Sequence, residues 1–176
     1  MKNTLRITSG TYRGREILTP GAGTHPMGSR ERLALFNAIS AYLPDAVVLD
    51  AFAGSGALGI EALSRGAKFV TFVEKSSAAA RIIRENLTKL DLREPTEVVT
   101  GEIEKYSSER HFDLILADPP YDKFDISMLA GLVKILKNGG ILVLSHPGVA
   151  PELEGLSLEK TATYAGAKIS FYHKNA

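Results

Sequence analysis

The stretch Asp50-Ala51-Phe52-Ala53-Gly54-Ser55-Gly56-Ala57-Leu58-Gly59 decides the fold class of this chain. Its Gly-x-Gly-x-x-Gly pattern lies between an apolar run at 47–49 and a helical pattern at 60–65 that is closed by a glycine. Glu74 follows about 20 residues after the first glycine. A strand, a glycine loop, a helix and a spaced carboxylate together predict that a nucleotide-like ligand lies against the loop amides and that Glu74 accepts from ribose hydroxyls.

Further strand-like runs continue on both sides of this loop. Those after it lie at 69–73, 97–100, 114–117 and 141–144, and two last extended segments, 156–164 and 168–172, have no convincing helix between them. Before it, short runs at 5–8 and 16–19 flank Gly10-Thr11-Tyr12-Arg13-Gly14, which predicts a hairpin. Alternation of strand-like and helical patterns predicts an α/β fold with a mostly parallel sheet.

Helical spacing fills the gaps between these runs. Ser29 is predicted to cap a helix with Leu33, Phe36, Ile39 and Leu43 on one face. A second amphipathic helix begins near Ser77. A third carries the stripe Leu129, Leu132, Val133 and Leu136 and is predicted to stop at Asn138-Gly139-Gly140.

Polar residues follow the predicted parallel strands where each strand ends: Asp50, Glu74, the pair Gly101-Glu102, and Asp118. Packing does not require a carboxylate at a strand end, and ligands of parallel sheets bind at this edge. The pattern predicts a ligand site there.

The residue that opens the glycine loop separates two ligand classes. Dinucleotides bring a negatively charged pyrophosphate to the helix N-terminus, where a nearby aspartate would repel it. S-adenosylmethionine brings an ammonium group and a sulfonium, which an aspartate attracts. Asp50 therefore favours S-adenosylmethionine over a dinucleotide.

The segment Asp118-Pro119-Pro120-Tyr121 follows the run at 114–117. Two successive prolines have no N–H, so the backbone turns rigidly and leaves carbonyl groups free to accept. Asp118 and the Pro119 carbonyl can accept both hydrogens of an exocyclic amine, and the Tyr121 ring can stack on its base. This arrangement predicts transfer of a group to a nucleobase amine, although an ordinary Pro-Pro turn closed by a packed tyrosine has the same sequence.

Composition bounds the function class. The 176 residues are 44% hydrophobic and 23% charged, which is typical of one folded domain. There is no cysteine, and the four scattered histidines offer no spaced ligand set, so we expect no metal. No apolar run approaches the roughly 18 residues of a membrane span, and we expect a cytoplasmic protein. The net charge is +1, but residues 1–37 hold six basic residues against two acidic ones, which is compatible with nucleic-acid binding.

These segments resemble a known family. Asp-Pro-Pro-Tyr after the fourth strand of the predicted sheet, with a glycine loop after the first, is similar to class I S-adenosylmethionine-dependent amino-group methyltransferases. Ser9-Gly10-Thr11-Tyr12-Arg13-Gly14-Arg15, the segment 24–37 and the segment 50–67 resemble the RsmD family, and the similarity covers nearly the whole chain. The resemblance implies a Rossmann-like fold, a seven-stranded sheet with an N-terminal β-hairpin extension, and methylation of the N2 amine of a guanine in small-subunit ribosomal RNA.

The resemblance also implies roles for individual residues. The catalytic group would be Asp118, Pro119, Pro120 and Tyr121. The cofactor S-adenosylmethionine would be bound by Asp50, Phe52, Ala53, Gly54, Ser55, Gly56, Glu74, Lys75, Glu102 and Asp118. The RNA would be contacted by Tyr12, Arg13, Arg15 and Arg30. Residues 1–28 would form the basic RNA-contacting extension and residues 29–176 the methyltransferase domain. The expected partner is ribosomal RNA or the small ribosomal subunit, bound by a monomer.

The chain departs from the family pattern at three places. The family usually has Thr-Arg-Pro-Thr where this chain has Thr24-His25-Pro26-Met27, so the arginine is absent. In Gly101-Glu102 a glutamate replaces the usual aspartate. At the end of the fifth strand, Ser145-His146 replaces a common glutamate. We expect His146 to be a partly buried loop histidine without a catalytic role. The alternatives are an adenine-N6 methyltransferase of DNA or RNA, a catalytically idle RNA-binding or assembly protein and, more distantly, a nicotinamide oxidoreductase.

Overall fold

The computed structural model describes residues 3–21, 25–92 and 95–176, so Thr24 lies outside the described residues. The strands are β1 (Thr4–Arg6), β2 (Glu16–Leu18), β3 (Val47–Asp50), β4 (Phe69–Glu74), β5 (Thr96–Thr100), β6 (Phe112–Ala117), β7 (Leu136–His146), β8 (Leu156–Tyr164) and β9 (Ala167–Lys174). The α-helices are α1 (Ser29–Ala38), α2 (Ala57–Ser64), α3 (Ser77–Lys89) and α4 (Ala130–Ile135).

Seven strands form one sheet in the order β5-β4-β3-β6-β7-β9-β8. Strands β3 to β7 pair in parallel, and β9 is antiparallel to both β7 and β8. The chain moves outward from β3 to β5 and then continues at β6 on the other side of β3, so the strand order reverses between β3 and β6. Ligands of open α/β sheets bind at such a reversal. The predicted Rossmann-like sheet is confirmed, and β1 and β2 form the separate N-terminal hairpin.

Two apolar cores lie on opposite faces of this sheet, because successive side chains of a strand point to opposite faces. Val48 packs in the core that receives Phe36 of α1, Ile60 of α2 and Ile83 of α3. Its neighbour Leu49 packs in the other core, which receives α4 and the β9 residue Tyr172.

Two helix boundaries differ from the sequence prediction. Gly28, not Ser29, is the N-cap of α1 and no side chain caps it, while Leu33 is 41% exposed because the buried face of α1 carries Leu35 and Phe36. The third predicted helix is also too long: α4 ends at Ile135, and Asn138-Gly139-Gly140 belongs to β7. A Cβ at Gly140 would lie 3.0 Å from the Asp113 carbonyl oxygen, so that glycine lets β7 lie close to β6.

The N-terminal hairpin is attached along α2. Its residues Ile7 and Ile17 are buried in the same core as the helix. At its tip, the Thr11 amide donates to the Ser64 carbonyl at 2.8 Å. Gly10 has φ 84°, and a Cβ there would lie 1.8 Å from that carbonyl oxygen, so only glycine fits. We refer to residues 3–21 as the arm; its tip lies at the C-terminal end of α2.

A buried carboxylate holds the arm at the middle of α2. Glu61 is 1% exposed and accepts from the backbone amides of Thr8 at 3.0 Å and Ser9 at 3.1 Å. It also forms ion pairs with Arg65 at 3.1 Å and with the buried Arg32 at 3.8 Å. Burial lowers the pKa of Arg32, and the charge of Glu61 opposes that shift.

One open edge of the sheet is β8. Its pairing with β9 shifts register between Leu158 and Lys160, so Glu159 is left out of the ladder as a bulge. Glu159 pairs instead with His173, at 2.8 Å between carboxylate and ring. Among the described residues, no helix has the length and apolar character that crossing a membrane would require.

Candidate active site

The predicted polar residues lie at one edge of the sheet. Asp50 ends β3 and Glu74 ends β4, while Gly101 follows β5 and Asp118 follows β6. The registers place Asp50 beside Leu116 of β6 and beside Phe72 of β4, so these strand ends are neighbours. The edge therefore brings together the carboxylates that lie far apart in the sequence.

Asp50 is an almost fully buried carboxylate, only 1% exposed. Its Oδ2 accepts from the Gly59 amide at 2.9 Å, whereas its Oδ1 is buried without a hydrogen-bond partner. Burial raises the pKa of Asp50 to about 7, and the nearby charges of Asp118 and Glu74 add to this increase. A buried carboxylate oxygen that lacks a partner fits a cationic ligand group, because ion pairing would offset its desolvation.

The glycine loop, residues 51–56, has the backbone that close approach of a ligand requires. Gly54 has φ 55° and Gly56 has φ 82°, and both values favour glycine. A Cβ at Gly54 would meet nothing within 4 Å, so this side of the loop is open. A Cβ at Gly59 would lie 2.3 Å from the Phe72 ring, so the third glycine serves helix–strand packing. Phe52 is half-buried, and Ala53 and Ser55 are buried.

Glu74 is tied to the glycine loop. Its Oε2 accepts from the Gly54 amide at 2.8 Å, and its Oε1 accepts from the Ser76 amide at 2.8 Å. A carboxylate can accept about four hydrogen bonds, so Glu74 can also accept from ligand hydroxyls.

The two remaining predicted cofactor residues are exposed. Glu102 forms an ion pair with Lys105, which holds the pKa of Glu102 below its ordinary value, and the charge of Lys75 lowers it slightly further. Lys75 thus lies near Glu102, on the β4–β5 side of the edge. Unlike Glu74, this pair makes no hydrogen bond to the glycine loop in the described part of the chain.

Asp118 and Tyr121 meet at the side chain of Ser145, which is buried near the end of β7. The Tyr121 hydroxyl lies 2.5 Å from the Ser145 hydroxyl. Burial raises the pKa of Asp118 to about 6, and a hydrogen bond with Ser145 opposes the shift. Pro119 is buried, and the Tyr121 ring, which follows the exposed Pro120, is 42% exposed and open to a stacking partner.

The chain is similar to known proteins over nearly its whole length. The family model described as "Conserved hypothetical protein 95" matches residues 5–173. The Ribosomal RNA small subunit methyltransferase D of Haemophilus influenzae is 38% identical over 173 residues, which is 91% of this chain and 90% of the relative. The chain belongs to the RsmD family of methyltransferases.

Two further comparisons agree with this membership. The RsmD-family protein of Escherichia coli K12, named Ribosomal RNA small subunit methyltransferase D, is 33% identical over 141 residues, which is 78% of this chain and 69% of the relative. A solved structure of yhhF from Escherichia coli has a TM-score of 0.87 at 27% identity and covers 99% of both chains. The similarity extends over arm and sheet alike.

The residues that the RsmD resemblance assigns to RNA lie on the arm and at the start of α1. Arg13 and Arg15 are exposed on the arm, Tyr12 is half-buried against Ser64, and Arg30 is exposed on α1. The arm tip lies at the C-terminal end of α2, whereas the glycine loop precedes its N-terminus. The two ends of this eight-residue helix are about 12 Å apart. The structure does not bring the arm tip to Asp118.

Sequence reasoning missed three polar residues that shape this RsmD-family site: Ser145, Glu61 and Asn86. Each is almost fully buried. Ser145 was noted only as a departure from the family pattern, and the strand-end position it shares with Asp118 was the available signal. His146 has no bond to the catalytic segment: its Nε2 lies 2.7 Å from the Ser170 hydroxyl in the interior of the sheet. It belongs to β7 and is 1% exposed, so it is more buried than the predicted loop histidine.

Proposed function

We propose that this chain transfers a methyl group from S-adenosylmethionine to the N2 amine of a guanine in small-subunit ribosomal RNA. The observation that carries the proposal is the Asp118–Ser145–Tyr121 group beside the partnerless oxygen of Asp50 on one sheet edge. The names of the Haemophilus influenzae and Escherichia coli relatives support ribosomal RNA as the substrate class.

The residues of the glycine loop fit the cofactor. Asp50 would hold the ammonium group at its free Oδ1, the open side of Gly54 would admit the methionine end, and Glu74 would accept from the ribose hydroxyls. The cofactor would also contact the loop residues Phe52, Ala53, Ser55 and Gly56. Lys75 and Glu102 would lie on the side of its adenine. When bound, S-adenosylmethionine supplies an electrophilic methyl group, so the protein needs no nucleophile of its own.

The catalytic segment would hold the target amine. The Asp118 carboxylate and the Pro119 carbonyl would each accept one hydrogen of the exocyclic amine, which fixes the direction of the nitrogen lone pair. Asp118 would also stabilise positive charge that develops on that nitrogen. Pro120 restrains the turn, and the Tyr121 ring would stack on a base taken out of its helix.

The arm would add affinity for RNA. Arg13, Arg15 and Arg30 are exposed and can contact phosphates, and Tyr12 would fix the tip. We assign the RNA-contacting extension to residues 1–28 and the methyltransferase domain to residues 29–176, although both share one apolar core. A ribosomal RNA substrate implies a cytoplasmic enzyme. That the chain acts as a monomer stays a prediction.

Methyl transfer from labelled S-adenosylmethionine to unmodified small ribosomal subunits tests this function. The modified nucleosides are then identified by digestion and mass analysis. We expect label in N2-methylguanosine, a loss of at least 100-fold in Asp118→Ala, and near-normal transfer by Asp91→Asn, a control aspartate exposed after α3. Label in N6-methyladenosine would show that the methylated base is adenine and not guanine. Cofactor binding without label in any nucleoside would favour an idle RNA-binding protein.

A further inference from the structure

Asn86 is a buried polar residue on the apolar face of α3. Its relative exposure is 0%, and the neighbouring buried positions of the helix are Ala79, Ala80, Ile83 and Leu87. Burying an amide without hydrogen bonds is strongly unfavourable. A leucine would satisfy the helix pattern at this place, so the amide needs an explanation outside the helix.

The amide of Asn86 joins two segments that are distant in sequence. Its Oδ1 accepts from the Leu18 amide at 2.7 Å, and its Nδ2 donates to the Leu18 carbonyl at 2.9 Å. The same Nδ2 donates to the Ser55 carbonyl at 3.1 Å. Leu18 ends β2 of the arm, and Ser55 lies between Gly54 and Gly56 of the glycine loop.

These bonds fix the orientation of the amide. A flipped amide would place Nδ2 against the Leu18 N–H and Oδ1 against two carbonyl oxygens, so only one orientation is favourable. The loop is then held on two sides, since Glu74 binds the Gly54 amide and Asn86 binds the Ser55 carbonyl. A shift of the loop that breaks or tightens the Ser55 bond acts on the same side chain that holds Leu18.

A second contact on α3 holds the arm alone. One turn after Asn86, the Lys89 ammonium donates to the Glu16 carbonyl at 2.9 Å, and the Lys89 carbonyl accepts from Arg15 at 3.4 Å. Lys89 is exposed and has no bond to the glycine loop within the described residues. The helix thus offers a matched pair, in which Asn86 binds arm and loop together and Lys89 binds only the arm.

We propose that Asn86 is a positioning residue that couples the glycine loop to the arm, so that a ligand in the loop orders the arm for RNA. The inference rests on the proposed function. Because coupling is reciprocal, RNA on the arm raises the affinity of the loop for its ligand by the same factor.

Hydrogen exchange with S-adenosylhomocysteine as the probe tests the coupling without any methyl transfer. The Leu18 amide donates directly to Asn86, so its exchange rate reports this bond. We expect the probe to slow exchange of Leu18 and of the arm in the wild type by about fivefold or more, the lower end of common coupling factors. In Asn86→Asp, where an oxygen replaces Nδ2 opposite two carbonyls, this slowing should disappear. In Lys89→Met, exchange of the arm should be faster without the probe, but the slowing should persist.

A steady-state readout separates positioning from general damage to the fold. With Asn86→Asp, we expect KM for RNA and Kd for S-adenosylhomocysteine to rise together while kcat at saturation is largely kept. Lys89→Met should raise only KM for RNA. A variant that merely unfolds would lose kcat and speed exchange in both cores.

The wild-type measurement decides the matter even where a variant does not fold. Probe binding that protects the glycine loop and leaves the exchange of Leu18 unchanged would overturn the coupling. Equal slowing in the wild type and in Asn86→Asp would assign the coupling to other contacts and reject the role of Asn86. A wild-type chain that binds no S-adenosylhomocysteine would contradict the proposed function itself, which is a distinct outcome.

Discussion

In the described part of the chain, Ser145 is the hydroxyl that contacts both functional side chains of the catalytic segment. Its loss in Ser145→Ala removes the hydrogen bond that opposes the raised pKa of Asp118. A hydrogen bond to a charged group is worth about 1.5–3 kcal/mol, so that pKa should rise from about 6 by about one to two pH units. Because the ionised carboxylate is the stronger acceptor of amine hydrogens and stabilises positive charge on the nitrogen, kcat/KM should fall at least about fivefold at pH 6 and less at pH 8. The pH dependence of kcat/KM, which reports groups of the ligand-free enzyme, measures this.

Two variants check that assignment. Ser145→Thr keeps a hydroxyl and should keep the wild-type acid limb, which is the decrease in kcat/KM as the pH falls through the pKa of Asp118. Tyr121→Phe keeps the bond between Ser145 and Asp118 and should leave the limb in place while weakening RNA binding. An acid limb that does not move in Ser145→Ala would show that Asp118 is not the group that titrates.

Asp50 gives ligand binding its own pH dependence. Its pKa of about 7 lies above the ordinary 3.8, so the folded chain holds this carboxyl protonated where the unfolded chain has lost the proton. The resulting contribution to stability is present at low pH and is lost as the pH rises from about 4 to 7. A cationic ligand has the opposite preference, because it binds the ionised form.

The affinity for S-adenosylhomocysteine should therefore increase as the pH rises toward 7 and level off above it. Calorimetric titration between about pH 5.5 and 8.5 measures the change, with about a tenfold loss in affinity per pH unit well below that pKa. Asp50→Asn should bind weakly at every pH and show no such step. A wild-type affinity that is flat across this range would exclude Asp50 as the partner of the ammonium group.

At the residue scale, the sequence predicted the functional groups that have a signal in their immediate neighbours. Asp50, Glu74 and Asp118 each follow an apolar run and precede a turn, so their place at the sheet edge could be inferred. Ser145 and Asn86 could not be assigned a role, because the partners of Asn86 are 31 and 68 residues away and those of Ser145 follow the neighbouring strand β6. Contacts of that kind depend on how helices and strands pack.

At the scale of elements, Glu61 fastens the arm to α2 and α1. Glu61→Gln leaves Arg32 and Arg65 without their carboxylate and weakens the bonds to Thr8 and Ser9. Removing one partner of a buried ion pair costs about 3–5 kcal/mol, and we expect a loss at the lower end, about 3 kcal/mol. Urea unfolding measures it as a lower midpoint with an unchanged slope.

The exposed pair Arg6–Glu16 provides the matched control on the same arm. Its side chains are 73% and 45% exposed, so Glu16→Gln should change stability by less than about 1 kcal/mol. Equal losses in the two variants would mean that burial of Glu61 adds nothing to the attachment.

Element boundaries were less predictable than element types. The strands β3, β4 and β6 stand out as apolar runs that end in an acid or precede one. The bounds of β3 and β4 were predicted within a residue, whereas β6 begins two residues before its predicted start. The stripe 129–136 was interpreted as one helix because its spacing is helical, but a 3-10 turn precedes α4 and β7 begins at Leu136. Glycines at 139 and 140 were interpreted as a helix stop, whereas close contact with β6 explains Gly140.

For the whole molecule, the arm tip and the catalytic segment are distant surfaces that one RNA would have to contact together. Each phosphate contact contributes about 0.7–0.9 to the slope of log affinity against log salt concentration. Removing two contacts in a double variant, Arg13→Ala with Arg15→Ala, should make that slope shallower by about 1.4–1.8. RNA binding measured at several salt concentrations provides the slope. Lys160→Ala, on the edge strand β8, should leave the slope unchanged, and a similar decrease in that variant would argue for nonspecific attraction.

The bulge in β8 has a consequence for the behaviour of the chain at high concentration. A long, regular outer strand offers a row of unpaired amides and carbonyls to the same strand of another molecule, and such contacts can extend into fibres. Glu159 interrupts that row and places a charge on it, while its pairing with His173 holds the interruption in place. We therefore expect the irregularity to oppose pairing of this edge with a second copy of the chain.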